Sequence, residues 1–196
     1  MGRPNSSHPS RSSPAIGEGK PMIDFSQNYF ALFGLPPRYR FDPEKLDAAY
    51  RALQREVHPD RYAAAGDAER RVALQSSARV NEAYRALKDP VSRAQHLLSL
   101  RGIDALAETN TALPAQFLQR ALERREAVGD AQLARDADRL SALLREVRSD
   151  ASELETALAD HLDAEDWLRA RDDVREFRFL TKIAADIESA IAEVEG

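Results

Sequence analysis

The residues best equipped for chemistry are His58, Pro59 and Asp60, in the stretch HPDRY between two runs of helical spacing. An imidazole and a carboxylate two residues apart can act as an acid–base pair. They can equally be a helix stop followed by a polar turn, where proline and aspartate are common. A third use is recognition: Pro59 restricts the backbone and lowers the cost of ordering on binding, and Asp60 is an acceptor suited to a partner's cationic donor. Catalysis needs a pocket and further positioned groups, and no nucleophile lies nearby in the sequence. The four histidines are spread along the chain, a poor pattern for a metal site. With no cysteine, thiol catalysis, disulfides and thiolate-held zinc or iron–sulfur clusters within this chain are excluded. No catalytic residue, metal or cofactor is expected.

The elements that position this triplet are helical. Asn28 caps a short helix carrying Tyr29, Phe30, Leu32 and Phe33, ended by Gly34. Asp42 and Pro43 open a second helix, with Leu46, Ala49, Tyr50, Leu53 and Val57 in one apolar stripe. Lys45, Arg51 and Arg55 fall off that stripe as a basic face. Pro59 disfavours helix at His58, so the helix ends there and HPDRYAAAG is a loop. Asp67 is placed to cap the return helix, whose stripe is Val72, Ser76, Val80, Ala83, Tyr84 and Leu87. Asp89-Pro90 repeats the cap-plus-proline start, and that helix closes at Gly102.

Residues 103–113 read as a linker with little periodicity. Pro114 opens a helix ended by Gly129, and Asp130 caps a long one. Leu133, Ala137, Leu140, Leu144, Val147, Ala151, Leu154 and Leu158 form a heptad seam. A break near Asp163 leads to a last helix from Trp167 to Val194. The expected fold is all-α: a helical hairpin with short flanking helices over 22–102, then an antiparallel, coiled-coil-like three-helix bundle over 114–196. Trp167, His96 and His161 read as structural or incidental.

The formal net charge of −5 divides into +2 over 1–21, +3 over 22–102 and −10 over 103–196. The acidic second half argues against nucleic acid as its partner. No apolar run approaches a membrane span, and the N-terminus lacks a signal core. Residues 1–21, rich in proline, glycine and serine, read as a disordered tail. The expected location is the bacterial cytoplasm in preference to the mitochondrial matrix.

The segments YRALQREVHPDRY and NEAYRALKDPVSRAQHLLSLRG together resemble a J-domain. With NYFALFGLPPRY, FLQRALERREAV and REFRFLTKI added, residues 28–196 are similar to the HscB family, J-type co-chaperones of iron–sulfur cluster biogenesis. The resemblance implies a J-domain joined to a C-terminal three-helix bundle. It implies that His58, Pro59 and Asp60, helped by Arg51 and Arg55, engage an HscA-like, DnaK-class chaperone and stimulate its ATP hydrolysis. It also implies an IscU-like scaffold bound through Leu118, Gln119, Leu122, Glu123, Glu126 and Phe179. Gln119 stands where the best-known members carry methionine, and Asp130 where they carry glutamate. Spacing alone leaves open whether Leu118 and Leu122, or Phe117 and Ala121, face out; Phe179 competes likewise with Phe177 and Leu180 for the seam. A J-domain protein with a different client and a small hydrolase using His58 remain as rival readings. The chain is expected to be a monomer or a weak dimer.

Overall fold

The protein is described by a computed structural model over residues 23–107 and 113–196. The tail at 1–21, Met22 and residues 108–112 of the linker lie outside the described residues. The described residues form seven α-helices and no strand. The first half holds α1 (Tyr29–Leu32), α2 (Pro43–Val57), a single 3-10 turn (Pro59–Tyr62), α3 (Asp67–Lys88) and α4 (Pro90–Ser99). The second holds α5 (Ala115–Leu133), α6 (Ala137–Asp163) and α7 (Trp167–Glu195), packed as a three-helix bundle.

Side-chain caps set most helix starts. Asn28, Asp42 and Asp89 accept from the backbone N–H of Ala31, Glu44 and Ser92, and proline follows Asp42 and Asp89 at the first helical position. Each such cap contributes ~1 kcal/mol. Gly34 and Gly102 adopt the left-handed backbone expected after a helix end, with φ of 65° and 75°.

Three expected boundaries are different in the structure. Asp67 does not cap α3: it is the first helical residue, and Gly66 occupies the cap without a side-chain bond. Gly129 does not end α5, and Asp130 does not cap α6. α5 runs through both to Leu133, and Asp136 caps α6 by accepting from the Arg139 N–H. The chain turns through Arg135 in left-handed backbone at φ 53°. The Asp136 N–H then donates to Ala131 O, so the turn closes without glycine. Leu133 therefore lies outside the α6 seam and is 87% exposed. On α6 the buried face is Leu140, Leu143, Leu144, Val147, Leu158, Ala159 and Leu162. On α3, Ala73 takes the fully buried place expected of Val72, and Tyr84 is half-buried.

One core joins the two halves. Phe30, Leu46, Val57, Val80, Leu87 and Leu98 cluster with Leu158, Leu162, Ala170, Val174 and Phe177 of α6 and α7. Ala105, in the stretch read as linker, is fully buried in the same cluster. The buried Arg175 guanidinium donates from Nε to Ala105 O at 2.8 Å and from Nη1 to Asp172 Oδ1 at 3.1 Å. Tyr39 Oη donates to Glu155 Oε1 at 2.9 Å, and burial pushes the Tyr39 hydroxyl well above its usual pKa. Arg40 pairs with Asp160 and Asp163 at the rim.

His96 belongs to packing within the first half. Its ring stacks on Tyr29 with centroids 4.2 Å apart, and Nε2 accepts the Tyr29 backbone N–H at 3.2 Å. Burial first, and then the Arg79 charge, lower its pKa from the usual 6.5. Arg79 and Glu82 meet the Tyr29 hydroxyl on the same side. Both causes favour the neutral ring in the folded chain. As pH falls through 6.5 the unfolded chain takes the proton first, so the stability His96 supplies is complete above 6.5 and lost between there and its lower folded value. Urea unfolding at pH 7.5 and 5.5 is therefore expected to show lower stability in acid. His96→Gln should flatten that part of the profile; an unchanged slope would assign it to other groups.

Candidate functional site

The HPD triplet lies on the 3-10 turn between α2 and α3 rather than in an irregular loop. Pro59 has no N–H for the carbonyl of Arg55, so the last turn of α2 needs other donors. Arg61 and Tyr62 provide them. Arg61 Nη1 donates to Arg55 O at 2.9 Å, and Tyr62 Oη donates to Glu56 O at 3.2 Å. The His58 Nδ1 accepts the Asp60 N–H at 3.3 Å and so caps the 3-10 turn. Arg61 and Tyr62 carry no part of the expected site; the missing proline N–H was the signal that donors had to come from just beyond it.

This bracing leaves the His58 ring and the Asp60 carboxylate largely in water. His58 Nδ1 and Asp60 Oδ2 are 3.6 Å apart with side chains 54% and 91% exposed. That is a poor geometry for an acid–base pair, because solvent rather than a pocket surrounds both groups. It suits presentation to another molecule. Arg51 and Arg55 are exposed on α2, and neither pairs with a carboxylate among the described residues. Arg55 thus lies three residues before the exposed His58 on the helix that leads into the turn.

The second candidate surface lies on α5. Phe117 and Ala121 are each 6% exposed and face the core, while Leu118 and Leu122 are 41% and 62% exposed. Gln119, Glu123 and Glu126 are exposed beside them, and Gln119 Nε2 donates to Glu123 Oε1 at 3.1 Å. On α7, Phe177 and Leu180 are buried. Phe179 is half-buried, its ring edge-on to Phe117 with centroids 5.6 Å apart. No group of three or more potential metal ligands is found among the described residues, and no helix among them is long and apolar enough to cross a membrane.

Residues 28–96 match the family model of the DnaJ domain, and residues 113–188 match that of the HSCB C-terminal oligomerisation domain. The co-chaperone protein HscB homolog of Cupriavidus taiwanensis is 50% identical over 177 residues, spanning 90% of this chain and 99% of its own. This chain belongs to the HscB family of co-chaperones. The HscB homolog of Burkholderia multivorans is 45% identical over 174 residues, spanning 89% of this chain and 99% of its own. Among solved structures, the chaperone HscB from Vibrio cholerae is similar with a TM-score of 0.77 and 34% identity, over 86% of this chain and 99% of its own. The human co-chaperone HscB follows with a TM-score of 0.80 and 27% identity, over 85% and 83%. The all-α fold of a J-domain plus a helical bundle is thus the HscB fold.

Proposed function

We propose that this chain stimulates ATP hydrolysis by an HscA-like, DnaK-class chaperone and delivers to it an IscU-like iron–sulfur scaffold, assisting maturation of iron–sulfur proteins in the bacterial cytoplasm. The observation that carries the reading is the exposed His58–Pro59–Asp60 turn beside Arg51 and Arg55, which form no ion pair among the described residues. Arg51 and Arg55 steer an acidic chaperone surface into encounter, and Asp60 offers a charge-assisted acceptor to a cationic donor there. The scaffold docks on Leu118, Gln119, Leu122, Glu123, Glu126 and Phe179, an apolar patch with an acidic rim. The cluster is cargo held by the scaffold, since this chain has no cysteine to ligate it. The first half shares a core with α6 and α7, and α5 packs on those same two helices through a second cluster, so binding at one surface makes the second encounter nearly intramolecular. ATP is hydrolysed in the chaperone's active site, and this chain acts as the trigger.

The test pairs two assays. Steady-state ATPase of the chaperone is expected to rise when this chain is added. Leu118→Ala with Leu122→Ala truncates side chains that are largely or partly exposed, so folding stability should change by less than about 1 kcal/mol per site. Scaffold binding, measured by calorimetry, should weaken roughly tenfold or more, the effect of losing a central apolar anchor. Stimulation measured without scaffold should persist. Undiminished scaffold binding by the folded double variant would move the client to another surface.

A further inference from the structure

Beyond the leucine pair, α5 and α7 leave a groove of about 450 Å³. Leu118, Leu122, Arg125 and Gly129 step along α5 by four, three and four, so the patch and the groove share one helix face. Val128, Phe179 and Ile183 make the groove apolar, and the fully buried Ile187 closes it below. Arg125 and Lys182 stand on its opposite walls, and neither forms an ion pair among the described residues. Asp186 is the one carboxylate among the residues that line it.

Gly129 is the second observation. It sits inside a helix, where glycine is the poorest residue after proline. A Cβ built there meets nothing within 4 Å, and its backbone needs no left-handed conformation. Among the described residues neither packing nor φ asks for a glycine here. What the missing side chain leaves is bare helix backbone in an apolar groove, where another chain can approach closely.

We propose that this groove takes an apolar, carboxylate-bearing segment of the scaffold client, its backbone against Gly129 and its carboxylate between Arg125 and Lys182. The inference rests on the scaffold reading above and adds a direction to it. Cations of the client meet Glu123 and Glu126 at one side of the leucines, and its anion meets Arg125 and Lys182 at the other. The polarity fixes which way round the client docks. A second copy of this chain fits less well, because a twofold contact sets like patches together and brings the two cationic walls towards each other.

The experiment uses the full-length chain and a purified IscU-like scaffold. Gly129→Leu is expected to keep or raise the thermal midpoint, since leucine is the better helix former, while weakening scaffold binding at least tenfold. Arg125→Glu with Lys182→Glu should weaken it comparably at low salt, with the difference from the parent shrinking as salt rises. If Leu118→Ala with Leu122→Ala abolishes binding but Gly129→Leu binds like the parent, the groove is empty and the proposal fails while the scaffold reading stands. If none of the three variants affects binding, both fail. Sedimentation of the chain alone gives the remaining outcome: a dimer dissolved by Gly129→Leu would make the groove a self-association surface and overturn the proposal.

Discussion

Replacing His58 with glutamine is expected to remove stimulation of the chaperone's ATPase while leaving this chain as stable as before. The two halves of that expectation have separate physical grounds. In the fold, His58 does little: its ring is 54% exposed, and its single bond is an acceptor contact to the Asp60 N–H. Glutamine keeps an acceptor, so stability should move by less than ~0.5 kcal/mol. In recognition, His58 sits at the tip of a turn pre-shaped by Pro59 and braced by Arg61 and Tyr62. An anchor held in place in this way and desolvated on binding is worth ~2 kcal/mol or more at an interface, about thirtyfold in affinity. Stimulation at subsaturating concentration should therefore fall by at least about tenfold. Asp60→Asn makes a companion variant, because its 91% exposed carboxylate supports nothing in the fold and losing the charge affects only the partner. Steady-state ATPase and thermal melts on the same preparations check both halves. Full stimulation by a folded His58→Gln variant would refute the assignment of the turn.

How far the sequence could be read depended on whether a boundary carried its own chemical mark. Asp42-Pro43 and Asp89-Pro90 carry one, because the side chain caps and the proline supplies a ready φ; both helices begin there. The α5–α6 boundary carries none. Arg135 enters the left-handed region without glycine, at a cost of ~1 kcal/mol that the turn's hydrogen bonds offset. Gly129, the residue that looked like a stop, lies inside the helix. Local pattern thus places the α6 cap six residues early, at Asp130 instead of Asp136, and starts the seam on Leu133, which lies outside α6. The outward direction of Leu118 and Leu122 was undecidable for a related reason. Both they and the pair Phe117 and Ala121 have helical spacing, and only the positions of α6 and α7 select which pair is buried. The linker reading of 103–113 missed Ala105 because one small residue has no periodicity. Its carbonyl accepts from Arg175, seventy residues away, a contact that only the folded chain brings about.

That distant contact bears on the second large effect, expected for Phe177→Ala. Phe177 is 3% exposed and lies in the core that contains Phe30, Leu87 and Leu98 of the first half. Truncating a buried phenylalanine removes its transfer energy and leaves a cavity, together about 3–5 kcal/mol. For a chain of this size each kcal/mol lowers the melting midpoint by ~2–4 °C, so a fall of roughly 6–20 °C is expected. The more informative expectation is where the loss appears. If the two halves were beads on a linker, a cavity in α7 would destabilise the bundle and leave the HPD-bearing half intact. With Ala105 and Tyr39 held to α7 and α6, the halves should unfold together. Trp167, the single tryptophan, reports on the junction, since the Arg101 guanidinium lies 4.6 Å from its ring centroid. Far-UV circular dichroism reports on every helix. In urea the two signals should trace one transition in the parent, and in Phe177→Ala both midpoints should shift down by the same amount. Separated transitions would mean that the halves fold independently, and the nearly intramolecular second encounter drawn from a shared core would then lose its structural basis.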